Sequence, residues 1–487
     1  TIERETPGRP YTRSFANPFS VLTTSKSFKM KTYELSHQRL DSGVVVRMKG
    51  KFDRDAGSEI EELLLEKAQP GDVVVLCSEY APAAASLLLA LIDLKAIVVP
   101  LLPLTRSRNP ALIDMVDPSM IIDVTEGTDV AFTKRGSGEP HALYKKLTDA
   151  DAPGLVLFTS GSTGLPKGVV HDFAKLLEKF KTKRGASITL NLLMFDHWGG
   201  LNTLLHALAN DCLVVLTERQ SPEYVCELIE RHRIELLPGT PSFLNMLLIS
   251  RAYEGRDLTS LRLISYGAEP MPDSTLKDLR KIFPNVEARQ TYGLIELGVL
   301  RAKSKSSDSL WVKIGGDGYD VRVVDEMLEI KADSAMLGYL NAPSPFTEDG
   351  YFMTGDRVEV DGEYFRILGR DSELINVGGQ KVYPAEVETV LLESPDVEDA
   401  VVFKEKNPIM GQIVCTNIHR TGTEGTPAEV RARIKAFCTE RLDDFKVPVK
   451  ISFTTEPLHS DRMKRLHIQP PSPDAAPNTT SNSGAES

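Results

Sequence analysis

Twelve residues, Phe158 to Val169, read FTSGSTGLPKGV and constrain the rest of the chain more than any other stretch. They gather three glycines (Gly161, Gly164, Gly168) and four hydroxyls (Thr159, Ser160, Ser162, Thr163) around one lysine, Lys167. Glycine tolerates positive φ and close ligand approach, so successive backbone N–H groups can converge on an anion. The hydroxyls add donors, and the lysine adds a mobile charge suited to polyphosphate. The run before it, GLVLF, favours a strand, and the run after it, VVHDFAKLLEKF, can be helical. Strand, glycine-rich loop and helix together present phosphate well, although a solvated turn has the same composition. The Walker spacing is absent, because no GK[ST] occurs in the loop.

A chain of 487 residues exceeds one core and should divide into two or three domains. The net charge of −11 argues against a nucleic-acid or membrane-surface protein, so an anionic ligand would need a local basic site. Cys77, Cys212, Cys226, Cys415 and Cys438 are scattered and form no CxxC pair. They read as reduced thiols of a cytoplasmic protein. The first twenty residues lack an apolar core, so no signal peptide is expected. Residues 83–102 are the most apolar segment, but Asp93 and Lys95 interrupt them. They fit a buried helix followed by a strand, and no membrane span is expected.

Residues 1–30 form a polar lead-in. Strand-like and helical runs then alternate, as in DVVVLC, PAAASLLLALIDL and AIVVPL, which predicts mostly parallel sheets with crossover helices. Between about 310 and 368, short alternating strands separated by Gly/Asp turns predict a small antiparallel sheet or barrel. The expected class is α/β: a large N-terminal domain over 31–369, hinged to a small α+β domain over 370–466. Residues 467–487, rich in Pro, Ser and Asn, should be disordered.

Seven spaced motifs together resemble the adenylate-forming superfamily of acyl-CoA synthetases, amino-acid adenylation domains and luciferases. They are the loop above, HWGGLN (197–202), SYGAEPMP (265–272), YGLIE (292–296), LEIKADSAMLGYLN (328–341), YFMTGDR (351–357) and GRDSELINVGGQKVYPAEVE (369–388). The resemblance spans about 30 to 466 and implies ATP or AMP, coenzyme A and Mg²⁺ as ligands. It implies that the hydroxyls and glycines of 159–164, with Lys167, cradle phosphate. Gly267, Ala268, Glu269, Tyr292 and Gly293 would then surround adenine, while Asp356 and Arg370 hold the nucleotide and Glu296 binds the metal. A glutamate supplies the hard oxygen that Mg²⁺ requires. His197, with Trp198 and Gly199, would wall off the carboxylate pocket from the thiol channel, and Asp196, Leu294 and Gly298 would line that pocket. Ser372 maps to the hinge. Gly378 and Gly379 would line a pantetheine tunnel, where a side chain would obstruct a narrow channel.

Two positions depart from the family pattern. Ile295 stands where a Thr hydroxyl would meet the α-phosphate, and one such bond is worth about 1.5–3 kcal/mol. Near the C-terminus the family carries Pro, a few polar residues and Gly-Lys. Counting from Pro457 puts Arg462 on the glycine and Met463 on the lysine, and Lys464 can substitute only through a one-residue insertion. A thioether cannot stabilise the charge of phosphoryl transfer. The reading is therefore an acyl-CoA ligase for a bulky hydrophobic carboxylic acid, in which adenylation is impaired and a preformed acyl-adenylate, from a separate adenylating ligase, is thioesterified. Alternatives are a complete two-step synthetase, an adenylation enzyme loading a carrier protein (favoured by Asp196), and a nucleotide-binding pseudoenzyme.

Overall fold

The computed structural model describes residues 64, 66–125, 129–136, 138–159, 166–217, 219–422, 424–460 and 462–467, together with strands at 12–16, 32–40 and 43–49. The chain divides into two compact units, residues 1–367 with 462–464, and residues 368–461 with 465–487.

Among the described residues, the larger unit holds three large sheets and one two-stranded hairpin. In the first, Leu213–Leu216, Ile188–Asn191, Leu236–Gly239, Leu263–Tyr266 and Glu287–Gln290 lie side by side and parallel. Gly43–Lys49, Thr32–Leu40 and Thr12–Ala16 extend it as an antiparallel edge. Thr12–Ala16 falls inside the polar lead-in, so that segment contributes a strand. In the second sheet, Val73–Cys77 is parallel to Ile97–Leu101 and to Met120–Thr125, and Ile97–Leu101 is parallel to Gly154–Phe158. The fully buried strands read as continuous Val/Ile/Leu runs, as a sheet covered on both faces requires.

Helix Pro82–Asp93 packs between these layers in a core that also contains Phe173, Phe195 and Trp198. The third sheet is antiparallel, running from Ala302–Ser304 to Tyr319–Val324 through Phe352–Asp361. The smaller unit wraps helices Pro384–Leu392 and Pro427–Thr439 around the long hairpin Val397–Asn407 with Gly411–Arg420. All five cysteines are buried free thiols. No helix among the described residues is long and apolar enough to cross a membrane.

One local expectation is overturned. The segment after the glycine-rich loop begins as a strand: Gly168–Asp172 pairs antiparallel with Gly154–Phe158, and only Phe173–Leu177 turns helical. Val169 and Val170 are wholly buried, and β-branched residues at buried positions prefer the pleated sheet. Asp172 then caps the helix through the Lys175 N–H. The loop therefore connects two antiparallel strands and does not lead directly into a helix.

Candidate functional site

The motifs of the larger unit converge because they follow the carboxyl ends of parallel strands, where α/β folds leave a crevice. Asp196 and His197 follow Ile188–Asn191, Thr240 follows Leu236–Gly239, Gly267 follows Leu263–Tyr266, and Tyr292 follows Glu287–Gln290. In the second sheet Thr105 lies beyond Ile97–Leu101, and the glycine-rich loop beyond Gly154–Phe158.

Of the loop itself, Ser160, Gly161, Ser162, Thr163 and Gly164 lie outside the described residues. Its feet are tied together: Thr159 N–H donates to the Lys167 carbonyl at 3.1 Å, and Lys167 N–H donates to Thr159 Oγ1 at 3.2 Å. Asn341 fastens the second foot, accepting from Gly168 N–H and donating to the Pro166 carbonyl, each at 3.0 Å. Lys167 Nζ stands 4.9 Å above the Tyr339 ring, and the Tyr339 hydroxyl donates to Glu296 Oε1 at 2.8 Å. A cation and a carboxylate are thus held at one phenol. Tyr339 and Asn341 were not singled out from the sequence, although both sit inside the quoted LGYLN.

A second constellation joins two motifs far apart in sequence. The hydroxyl of buried Tyr292 donates to Asp356 Oδ2 at 2.6 Å, bringing the adenine and ribose candidates together. Gly267 sits so close to Thr291 that a Cβ would lie 2.5 Å from Thr291 Oγ1, and Ala268 takes φ +73°. Glu269 is partly committed elsewhere, because its Oε2 accepts from Ser242 Oγ at 2.7 Å near the start of helix Pro241–Ser250. Ile295 packs its side chain against two apolar clusters, and its carbonyl takes the His171 Nε2–H at 2.7 Å.

The third constellation surrounds His197. Its Nδ1 accepts from the Gly199 N–H at 3.1 Å, which leaves Nε2 to carry the proton as a donor. Burial, then the charges of Lys464 and Arg462, hold its imidazole well below the ordinary range and therefore neutral. Asp196 is buried, accepts from Thr105 Oγ1 at 2.6 Å and has Arg462 Nη2 at 3.7 Å. Trp198 is buried with its indole N–H unpaired, beside Gly298, where a Cβ would approach Nε1 to 3.1 Å. Gly298 has φ +80°, which any other residue would adopt at a cost. It pairs, with Val299, against Gly293 and Leu294 in a short hairpin.

The C-terminal residues Arg462–Lys464 cluster with the larger unit. Met463 is buried in its apolar core, has φ +51°, and gives its carbonyl to Thr240 Oγ1 at 2.7 Å.

In the smaller unit, Arg370 is exposed at the end of Tyr364–Arg370, and Ser372 lies in a short 3-10 turn, its carbonyl taken by Lys404 Nζ at 2.6 Å. Gly378 and Gly379 form the two-residue turn of a hairpin between Ile375–Val377 and Gln380–Val382, at φ +59° and +95°. Two positive φ values in a two-residue hairpin require glycine-like residues. The turn explains the pair without a channel. His467, placed by sequence in a disordered tail, donates from Nε2 to Glu388 Oε1 at 3.0 Å.

A divalent cation at Glu296 would meet a hard carboxylate oxygen, which suits Mg²⁺. Among the described residues no three His, Cys, Asp or Glu side chains converge on a metal-sized site. The remaining ligands would then be nucleotide phosphates and water, as is usual for Mg²⁺.

Comparison with known proteins agrees with this layout. The profile described as AMP-binding enzyme matches residues 61–352, and that of the AMP-binding enzyme C-terminal domain matches 386–462. Indoleacetate–CoA ligase of Aromatoleum aromaticum is 29% identical over 62% of this chain, and the match spans 64% of that relative's own length, under two thirds. A 2-succinylbenzoate–CoA ligase of Bacillus thuringiensis is 28% identical over 76% of this chain and 81% of its own. Among solved structures, the anthranilate CoA ligase AuaEII in complex with anthranoyl-AMP superposes with a TM-score of 0.71 at 18% identity, covering 86% of this chain and 91% of that one.

Proposed function

The chain belongs to the AMP-binding enzymes, and on that premise we propose that it is an acyl-CoA ligase that joins a carboxylic acid to coenzyme A through an acyl-AMP intermediate. The reading is supported by relatives named as CoA ligases and by the hydrogen bond that joins Tyr292 to Asp356. In the first step the acid's carboxylate oxygen attacks the α-phosphorus of ATP and pyrophosphate leaves. In the second, the thiol sulfur attacks the acyl carbon, the thiol proton is lost and AMP leaves. Mg²⁺ would be held by Glu296 and would supply charge neutralisation of the phosphates.

Neutral His197 orients a carboxylate by donating from Nε2. Lys464 offsets the repulsion between carboxylate and phosphate, which favours adenylation. Supporting that role for Lys464 is the backbone before it. Met463 holds a left-handed φ, the conformation glycine favours, so Met463 stands in for the expected glycine and Lys464 for the expected lysine. The observation that carries the function is the Tyr292–Asp356 hydrogen bond, which joins the adenine and ribose candidates.

A second reading, thioesterification of a preformed acyl-adenylate only, draws on Ile295, whose alkane side chain is packed into apolar clusters. The substrate proposed is a bulky, largely hydrocarbon acid, held mainly by shape. The probes are indoleacetate, 2-succinylbenzoate and anthranilate with ATP and Mg²⁺, followed by pyrophosphate release, and their synthetic acyl-AMPs with coenzyme A, followed by thioester formation. The two-step reading expects both products from at least one acid, with the first step slowed by about 10- to 100-fold for the missing hydroxyl. Thioester without pyrophosphate would select the second reading. Neither product from any probe would remove the ligase.

A further inference from the structure

We propose that Arg462 is a substrate-binding residue whose guanidinium takes an anionic oxygen of the reacting pair, either the acid's carboxylate or the α-phosphate. The proposal rests on the ligase reading above. With Met463 standing in for the family glycine, Arg462 is the residue before it, a further cation beside the pocket.

The geometry shows a cation held loosely with donors to spare. Among the described residues its ion pair, to Asp196 Oδ2, is 3.7 Å long, beyond hydrogen-bond range. That carboxylate oxygen already accepts from Thr105 at 2.6 Å. Arg462 Nη1 is sealed from solvent with no hydrogen-bond partner, and Asp196 Oδ1 is in the same condition. A guanidinium offers five N–H donors in a planar fork, and a buried donor without an acceptor is costly. A simple latch between these residues would close into short paired bonds and leave neither atom orphaned. What the arrangement lacks is an oxygen anion.

The backbone beneath the arm is fixed independently. Met463, the next residue, is buried and bonded to Thr240, so Arg462 does not depend on Asp196 for its place. The charges also favour an incoming anion. Arg462 and Lys464 both carry positive charge felt by buried His197. Asp196 thus aims the arm, and the substrate completes its coordination.

The test is calorimetric binding of AMP and of the acyl-sulfamoyl-adenosines made from indoleacetate, 2-succinylbenzoate and anthranilate, using the full chain. Arg462→Gln should weaken the tightest-binding analogue by about 10- to 100-fold, and Arg462→Lys by clearly less. Asp196→Asn should have a much smaller effect than Arg462→Gln, since the arm then keeps its charge and loses only its guide. A matching loss for AMP would identify the phosphate oxygen; unchanged AMP with a weakened analogue would identify the acyl end. Thermal melts of each variant establish that it is folded. Binding by Arg462→Gln within twofold of the parent protein would overturn the proposal, as would equal losses in Arg462→Gln and Asp196→Asn, which describe a structural latch. Failure of the parent protein to bind AMP or any analogue would instead overturn the ligase reading and take this inference with it.

Discussion

Replacing Lys464 with alanine is expected to reduce ATP-dependent pyrophosphate release by about 100- to 1,000-fold, as removal of a preorganised electrostatic group does elsewhere. Thioester formation from synthetic acyl-AMP should fall by less than about threefold, because that step creates no new carboxylate–phosphate repulsion. The split follows from charge. In the first step two anions must meet, and Lys464 lies where its charge is felt by buried His197. Removing it should also let the His197 imidazole rise towards its ordinary range, since one of the two cations holding it down is gone, although burial remains the larger cause. Proton NMR of His197 across pH reads that change independently of turnover. Equal losses in both half-reactions would point to a folding defect, and undiminished pyrophosphate release would remove Lys464 from the first step.

Much of this arrangement was legible in the sequence, because the signal lay in runs and in ordered motifs. Continuous Val/Ile/Leu strands announced the covered sheets, and the change to short alternating strands announced the antiparallel one. Tyr292 and Asp356 were marked separately from their motifs, and the structure joins them. What escaped depended on contacts without local trace. Thr105 and Asp196 meet across 91 residues, and nothing near either predicts the other. Val169 and Val170 were read as helix because periodicity cannot weigh their complete burial against a neighbouring strand. At the C-terminus, the count from Pro457 rests on residue spacing alone. A positive φ at Met463 is a backbone fact that a count of residues cannot contain.

The second large effect should appear in the smaller unit, where Glu388→Ala is expected to destabilise that unit by about 3–5 kcal/mol, the usual result of breaking a buried ion pair on one side. Glu388 is buried; it accepts from the Val402 N–H at 2.9 Å and from His467 Nε2 at 3.0 Å, and Arg465 Nε lies 3.8 Å away. Arg465 also reaches Asp399 at 3.4 Å and the Ala400 carbonyl. Burial alone would raise the Glu388 carboxyl, but His467 and then Arg465 outweigh it and hold it below the ordinary range. Alanine would leave Arg465 and a charged His467 with one counter-charge fewer, and the Val402 N–H without its acceptor.

The same network makes the stability of this unit depend on pH. Burial opposes the charge on His467, yet Glu388 and Glu373 together raise it from 6.5 to about 10. Its folded value therefore exceeds its unfolded one, so its contribution is fully present below about 6.5 and is lost as pH rises through about 10. Urea unfolding of the full chain, followed by a probe in the smaller unit, should show a midpoint falling between those limits. His467→Gln should flatten that fall while lowering the midpoint at neutral pH. An unchanged slope in His467→Gln would mean that the titrating group lies elsewhere and that Glu388 is balanced by Arg465 alone.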